Sequence, residues 1–162
     1  MVVAEVARAI LLAGGTVVYG GNLSAGGYTR VLLDEIQRYK DGSAAIEIVL
    51  AEPEFRSASI ETLDRTIQRM GEFGRLRFVS HTGSELSLSD KRQQPTEYNV
   101  RDAYTAMRRF VSQDMDARVV VGGQLIGYKG NEPGIIEEAR LAVEAGAKLF
   151  IAGGYGGAAA LL

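Results

Sequence analysis

A chain of 162 residues, 46% apolar and 23% charged, fits one ordinary globular domain with a core of its own. A net charge of −2 gives no basic footprint for nucleic acid or for a membrane surface. The lack of cysteine excludes disulfides and thiolate chemistry and fits a reducing, cytoplasmic compartment. The single histidine leaves metal sites and Ser-His-Asp triads poorly supplied, and no apolar run reaches the ~18 residues of a membrane helix.

Val2–Ala13 reads as an amphipathic helix with acid and base among its apolar residues, without the layout of a signal peptide. Gly14-Gly15 ends it, as glycine does after a last helical turn. Thr16–Tyr19 reads as a strand. Tyr28–Tyr39 follows as a helix, in which Val31, Leu32, Glu35, Ile36 and Tyr39 take the 3-4 spacing of one buried side. Ala45–Leu50 is a second strand, Ile60–Phe73 a helix with Gly71 near its end, and Arg75–Ser80 a third strand. Thr82–Asn99 is polar, holds Pro95 and reads as a surface loop. Val100–Met115 then reads as a helix, Arg118–Val121 as a strand, Ile135–Ala145 as a helix closed by Gly146, and Lys148–Ala152 as a last strand.

The strands are short apolar runs that mostly lack alternation, as expected where helices cover both faces of a parallel sheet. Strand and helix alternate at a spacing of roughly 30 residues, the rhythm of βα units. The expected fold is therefore α/β: a Rossmann-like, doubly wound, mainly parallel sheet of about five or more strands with helices on both faces, in one domain over residues 1–162. A doubly wound domain usually opens on a strand. This chain opens on a helix, so it reads as a domain excised from a longer protein.

Glycine supplies 20 of the 162 residues, well above the usual ~7%, and its placement carries the functional signal. Three Gly-Gly pairs follow expected strands: Gly20-Gly21 in VVYGGN, Gly122-Gly123 in VVVGGQ, and Gly153-Gly154 in FIAGGYGG, which continues to Gly156-Gly157. In a parallel sheet all these turns lie on the carboxyl edge, where open α/β sheets bind ligands. Glycine there lets backbone N–H groups approach an anion closely. Two of the turns run into helix starts, which add free donors and partial positive charge. One pair alone is a tight turn; three on one edge read as an anion cradle. The strict dinucleotide fingerprint is absent.

Other residues admit two readings each. Glu137 and Glu138 fall in a first helical turn after Pro133-Gly134. They stabilise that helix end, or one of them binds ribose hydroxyls or acts as general acid or base. Arg108 and Arg109 sit on one helix, as a phosphate partner or on a solvated face. Tyr28 and Tyr155 stack on adenine or pack at a rim. Thr29 bonds a phosphate or supports a helix start. His81 ends the third strand and contacts ligand or caps a loop. Glu52 and Glu54 flank Pro53 and meet ribose or form an acidic loop.

Three stretches carry a resemblance: GGTVVYGGNLSAGGYTRVLLDEI, TAMRRFVSQDMDARVVVGGQLIGYKGNEPGIIEEARLAVEAG and FIAGGYGGAA. Together they resemble the SLOG superfamily, which groups the cytokinin-activating LOG enzymes, the DNA-processing Smf proteins and ligand-sensing domains. Within it they are most similar to the prokaryotic relative of the N-terminal domain of TRPM channels (the LSDAT type). The resemblance implies a Rossmannoid fold and a phosphate-bearing, nucleotide-derived ligand of the ADP-ribose or cyclic ADP-ribose type. It implies a sensor in antiviral signalling, in a homo-oligomer and with an attached effector, needing no further cofactor and no metal. The implied contacts are Gly20, Gly21, Asn22, Gly26, Gly27, Tyr28, Thr29, Arg108, Gly122, Gly123, Lys129, Gly134, Glu137, Glu138, Gly153, Gly154, Tyr155 and Gly156.

The LOG branch cleaves the N-glycosidic bond of nucleoside monophosphates, and it implies the alternative, a phosphoribohydrolase using Arg108 and Glu138. Arg108 lies eight residues before Asp116-Ala117, as in the LOG pattern. Two departures stand against hydrolysis. Gly134-Ile135 replaces the LOG Gly-Thr, and ten residues, QLIGYKGNEP, separate the glycine pair from that position. Those residues add Tyr128 and Lys129 as ligand contacts.

Overall fold

The computed structural model of the chain describes residues 2–24, 27–38, 45–94 and 97–162. Gly26, Tyr39 and Pro95, and the side chain of Ile36, lie outside the described residues. The chain divides into two compact units, Met1–Phe78 with Glu85–Gln94, and Val79–Ser84 with Pro95–Leu162.

In the first unit α1 (Val2–Leu12), β1 (Thr16–Gly21), α2 (Tyr28–Arg38), β2 (Ala45–Ala51), α3 (Glu52–Ser57), α4 (Ile60–Met70), β3 (Gly74–Val79) and β4 (Glu85–Leu86) follow in order. The strands form a four-stranded, mostly parallel sheet ordered β1-β2-β3-β4. β1 and β2 run parallel, from Thr16 opposite Ala45 to Gly21 opposite Leu50. Ile46, Ile48 and Leu50 project from alternate positions of β2 to one face. They meet Ala7 and Leu11 of α1, Leu32 and Leu33 of α2, and Leu63 and Met70 of α4. Val49 and Ala51, on the other face, are buried as well, so β2 is apolar on both faces apart from Glu47. Glu35 shares the buried side of α2, as its spacing predicts. Its carboxylate accepts from Arg8 of α1 at 3.1 and 3.3 Å and from Arg38 at 3.3 Å, which offsets the burial of its charge.

The stretch expected as a plain polar loop is structured in this unit. Ser87 and Asp90 form a reciprocal capping box, with Asp90 Oδ2 accepting from Ser87 N at 2.7 Å, and start a 3-10 helix, Leu88–Arg92. The acidic residues around Pro53 open a helix rather than a loop, because proline suits a first helical turn. Glu52 is buried and paired with Arg56 one turn on at 3.0 Å. Arg56 also donates to the carbonyls of Asp90 and, at 2.9 Å, Gln93. The Lys91 ammonium donates to the carbonyl oxygens of Phe55 and, at 2.9 Å, Arg56, closing the open end of α3. Burial there pushes the Lys91 pKa down, with the neighbouring Arg56 charge adding to the effect. Lys91→Ala is expected to cost about 1–2 kcal/mol in urea unfolding and to speed amide exchange selectively over residues 87–94.

In the second unit α5 (Val100–Ser112), β5 (Ala117–Val121), α6 (Gly134–Glu144) and β6 (Lys148–Ala152) are followed by 3-10 helices at Gly153–Tyr155 and Gly157–Leu161. β5 and β6 form a two-stranded parallel sheet, with Val119 opposite Phe150 and Val121 opposite Ala152. Val120, Ala139 and Ala159 form its core, with Ile135 and Leu149 against them. All five expected strands are present and the two-residue β4 joins them. They pair as sheets of four and two strands rather than as one sheet of five or more. Apolar periodicity identifies a strand but does not choose its neighbour.

Candidate functional site

In the first unit Gly20 and Gly21 belong to β1 itself, opposite Val49 and Leu50, and are not a turn beyond it. The Asn22 side-chain oxygen accepts from Ser24 N at 3.0 Å and from Ser24 Oγ at 2.5 Å. Its carbonyl accepts from Thr29 Oγ1 at 2.6 Å. Thr29 is buried and its hydroxyl supports this turn. Gly27 fits where a side chain would press on Asn22 Oδ1, 3.0 Å from the position of a Cβ. Tyr28 opens α2 with 40% of its surface exposed, its ring edge-on to Tyr19 at 6.2 Å. The first-turn amides of α2 have no intrahelical acceptor and carry the positive end of the helix dipole.

In the second unit two glycine turns are bonded to each other. Gly122 O accepts from Ala159 N at 2.7 Å and Gly123 O from Ala158 N at 3.0 Å. The amides that begin the last 3-10 helix are thereby used. Gly156 N also donates, to Gly153 O at 3.0 Å, while Tyr155 stands 66% exposed beside it. His81 stacks on Tyr98 with centroids 4.6 Å apart. Arg109 is exposed on α5, and Glu54 lies half-buried in the first turn of α3 in the first unit.

The charged centre of the second unit lies among α5, α6 and β5. Arg108, on the buried side of α5, donates through Nη1 to Glu137 Oε2, and the Thr105 hydroxyl donates to Glu137 Oε1. A Cβ on Gly134 would lie 2.5 Å from the Arg108 guanidinium and one on Gly130 would strike it, so the two glycines leave the slot it fills. Glu138 faces Arg118 Nη1 at 3.3 Å and Arg108 Nε at 3.8 Å. Of the ten residues that separate this unit from the LOG spacing, Asn131 donates to Asp102 of α5 at 3.1 Å, and Glu132 pairs with Arg140 of α6 at 2.8 Å. Lys129 is exposed and lies over the Tyr104 ring at 5.7 Å; Tyr128 is 37% exposed. The structure thus brings Arg108, Lys129, Gly134, Glu137 and Glu138 together with three residues that sequence reasoning passed over, Thr105, Arg118 and Gly130. A readable signal existed for Arg118, an arginine inside the apolar run ARVVV.

Burial pushes the Glu138 carboxyl above its ordinary 4.5, and the Glu137 charge adds to the rise; Arg118 and Arg108 pull against it. An acid whose folded value is raised favours the fold most when protonated. That stability is complete below 4.5 and is lost as pH climbs through the folded value. Glu138→Gln is expected to remove this slope, read as the urea midpoint over a pH series.

Among the described residues no group of three or more His, Cys, Asp or Glu is gathered as a metal site, and no helix is long and apolar enough to cross a membrane. Parallel strands alternating with helices define a Rossmann-like α/β fold. The family described as SLOG cluster2 matches residues 1–162, and the chain belongs to it. No curated protein and no solved structure matches the chain.

Proposed function

We propose that this SLOG domain is a sensor of a phosphate-bearing, nucleotide-derived ligand of the ADP-ribose or cyclic ADP-ribose type. The observation that carries the reading is the passage from β1 to α2. There Gly20-Gly21, the first turn of α2 and an exposed aromatic ring at Tyr28 follow one another at a strand's carboxyl end. The first-turn amides suit a phosphate and Tyr28 suits an adenine. Binding shifts the association of the domain in a homo-oligomer and so switches an attached effector.

The test is a thermal-shift screen with ADP-ribose, cyclic ADP-ribose isomers, NAD, AMP and other nucleoside monophosphates. A ligand held only by the folded chain, at about 100 times its Kd, adds roughly 2.7 kcal/mol, a rise of several degrees. The expected shift comes with ADP-ribose or its cyclic relatives and shrinks in Tyr28→Ala. Shifts with monophosphates alone favour the LOG-like alternative. Against that alternative, Arg108 is already bonded to Glu137 and Glu138 is held by Arg118. Release of ribose 5-phosphate that vanishes in Glu138→Gln would overturn the sensor reading.

A further inference from the structure

β3 is six residues long and its outer neighbour β4 only two. Ser80 N donates to Ser84 O at 2.8 Å, which closes the turn between the two strands and sets β4 beside the carboxyl half of β3. The chain then leaves the sheet for the 3-10 helix at Leu88–Arg92, which Arg56 and Lys91 fasten to the end of α3. Among the described residues, the amino half of β3 therefore has no strand on its outer side, and its backbone there is an open edge. A groove of about 450 Å³ lies beside it, lined by Ile67 of α4, Gly74, Arg75, Leu76 and Arg77 of β3, and Glu85 of β4. All six residues belong to the first unit.

The two sides of this edge differ, because successive side chains of a strand point to opposite faces. Leu76 packs against the core on one face, and Ile67 of α4 lines the groove with 37% of its surface exposed. Arg75 and Arg77 stand on the other face with Glu47 of β2 and Glu85. Arg77 is bonded to both acids, through Nε to Glu85 at 3.0 Å and through Nη1 to Glu47 at 3.1 Å. Arg75 is held loosely: its pair with Glu47 spans 3.8 Å, and 78% of its side chain is exposed.

We propose that the open half of β3 takes an extended peptide segment of alternating acidic and apolar residues as an added strand. Main-chain hydrogen bonds along Gly74–Arg77 supply affinity, and side chains on the two faces supply choice. An apolar side chain of the segment enters beside Leu76 and Ile67, while an acidic one meets Arg75 on the opposite face. Charge disfavours a second copy of this edge as the occupant. Two copies paired over Gly74–Arg77 set arginine beside arginine, and a one-residue slip sets arginine beside Leu76. The surface is independent of the nucleotide ligand, which is assigned to the passage from β1 to α2, and either reading can fail without the other.

The experiment titrates the 162-residue chain into a fluorescein-labelled peptide of about seven residues that alternates glutamate and valine, followed by anisotropy. Amide hydrogen exchange is read on the same complex. Saturable binding is expected, with slowed exchange over Gly74–Arg77. A peptide with proline at its central valine cannot donate to the ladder there and is expected to bind about tenfold or more weakly. Arg75→Glu is expected to weaken the glutamate peptide by about fivefold or more and to narrow its advantage over a peptide of alternating lysine and valine. Ile67→Ser leaves the charges in place and is expected to weaken it by a few fold. Far-UV circular dichroism checks each fold, and Ile67→Ser carries the test if Arg75→Glu is not folded. No binding of the glutamate peptide to wild type overturns the inference. Binding that is unchanged by the proline, or by either substitution in a folded variant, overturns it too. Protection of Gly74–Arg77 that grows with protein concentration in the absence of peptide places a second copy on the edge and overturns the choice of partner.

Discussion

Glu137→Ala is expected to destabilise the chain by about 3–5 kcal/mol, the cost of leaving a buried arginine without its counter-ion. The Arg108 side chain is 9% exposed and that of Glu137 2%, and they are bonded to each other. Thr105 donates to the second carboxylate oxygen, so each oxygen of Glu137 holds a hydrogen bond within the unit. Gly130 and Gly134 enclose the guanidinium, which leaves Arg108 little freedom to turn outward once Glu137 is gone. Glu137→Gln keeps an acceptor and the shape, and is expected to lose less. The double variant Arg108→Met, Glu137→Leu replaces both charges with apolar groups and is expected to recover most of the stability, because a buried pair repays little beyond its own desolvation. Urea unfolding of the three variants measures this. A loss below about 1 kcal/mol in Glu137→Ala would show a pair as weak as a surface salt bridge, and Arg108 would then be free to serve a ligand.

What the sequence made legible follows from the range of the forces involved. Each of the five expected strands exists, and the helix starts and stops fall close to the spacing-based boundaries, because periodicity and capping are local. The spacing extends the helix at Val100 to Met115, three residues beyond its end, since Ser112 ends α5 without a glycine to mark it. The short helix Glu52–Ser57 has the sequence of an acidic loop. What makes it a helix is the Glu52–Arg56 pair and the anchoring by Lys91, which lies 35 residues away from Arg56. Pairing of strands into sheets of four and two is equally non-local. The same division runs through the candidate site. Glycine-rich turns, Arg108 and Glu138 stand out in the sequence because their residue types are unusual where they occur. Which of their groups are already bonded is decided by partners elsewhere in the chain: Arg108 Nη1 is bonded to Glu137, the Thr29 hydroxyl to Asn22, and the amides of Ala158 and Ala159 to glycine carbonyls. Arg118, buried with Nε and Nη2 unbonded among the described residues, shows in the sequence only as an arginine inside an apolar strand.

Gly157→Ala is expected to cost about 2–4 kcal/mol, and Gly156→Ala only about 1–2 kcal/mol, although the two glycines are neighbours with similar positive φ. Both have positive φ, +73° at Gly156 and +67° at Gly157, so an alanine at either is strained. Their surroundings differ. A Cβ on Gly156 would have nothing within 4 Å, while one on Gly157 would lie 2.5 Å from Gly123 O and 2.6 Å from Gly122 C. Backbone cannot rotate away as a side chain can, so the last 3-10 helix must lift off the Gly122-Gly123 turn. It then loses the bonds from Ala158 and Ala159, and Ala159 leaves the core beside Val120 and Ala139. Urea unfolding of the two variants isolates the close approach, because strain is common to both. Unequal losses of this size make the β5 and β6 turns a structural clasp, with ligand contact left to other groups. Equal losses would make Gly157 an ordinary turn glycine and reopen the amides of Ala158 and Ala159 to an anion.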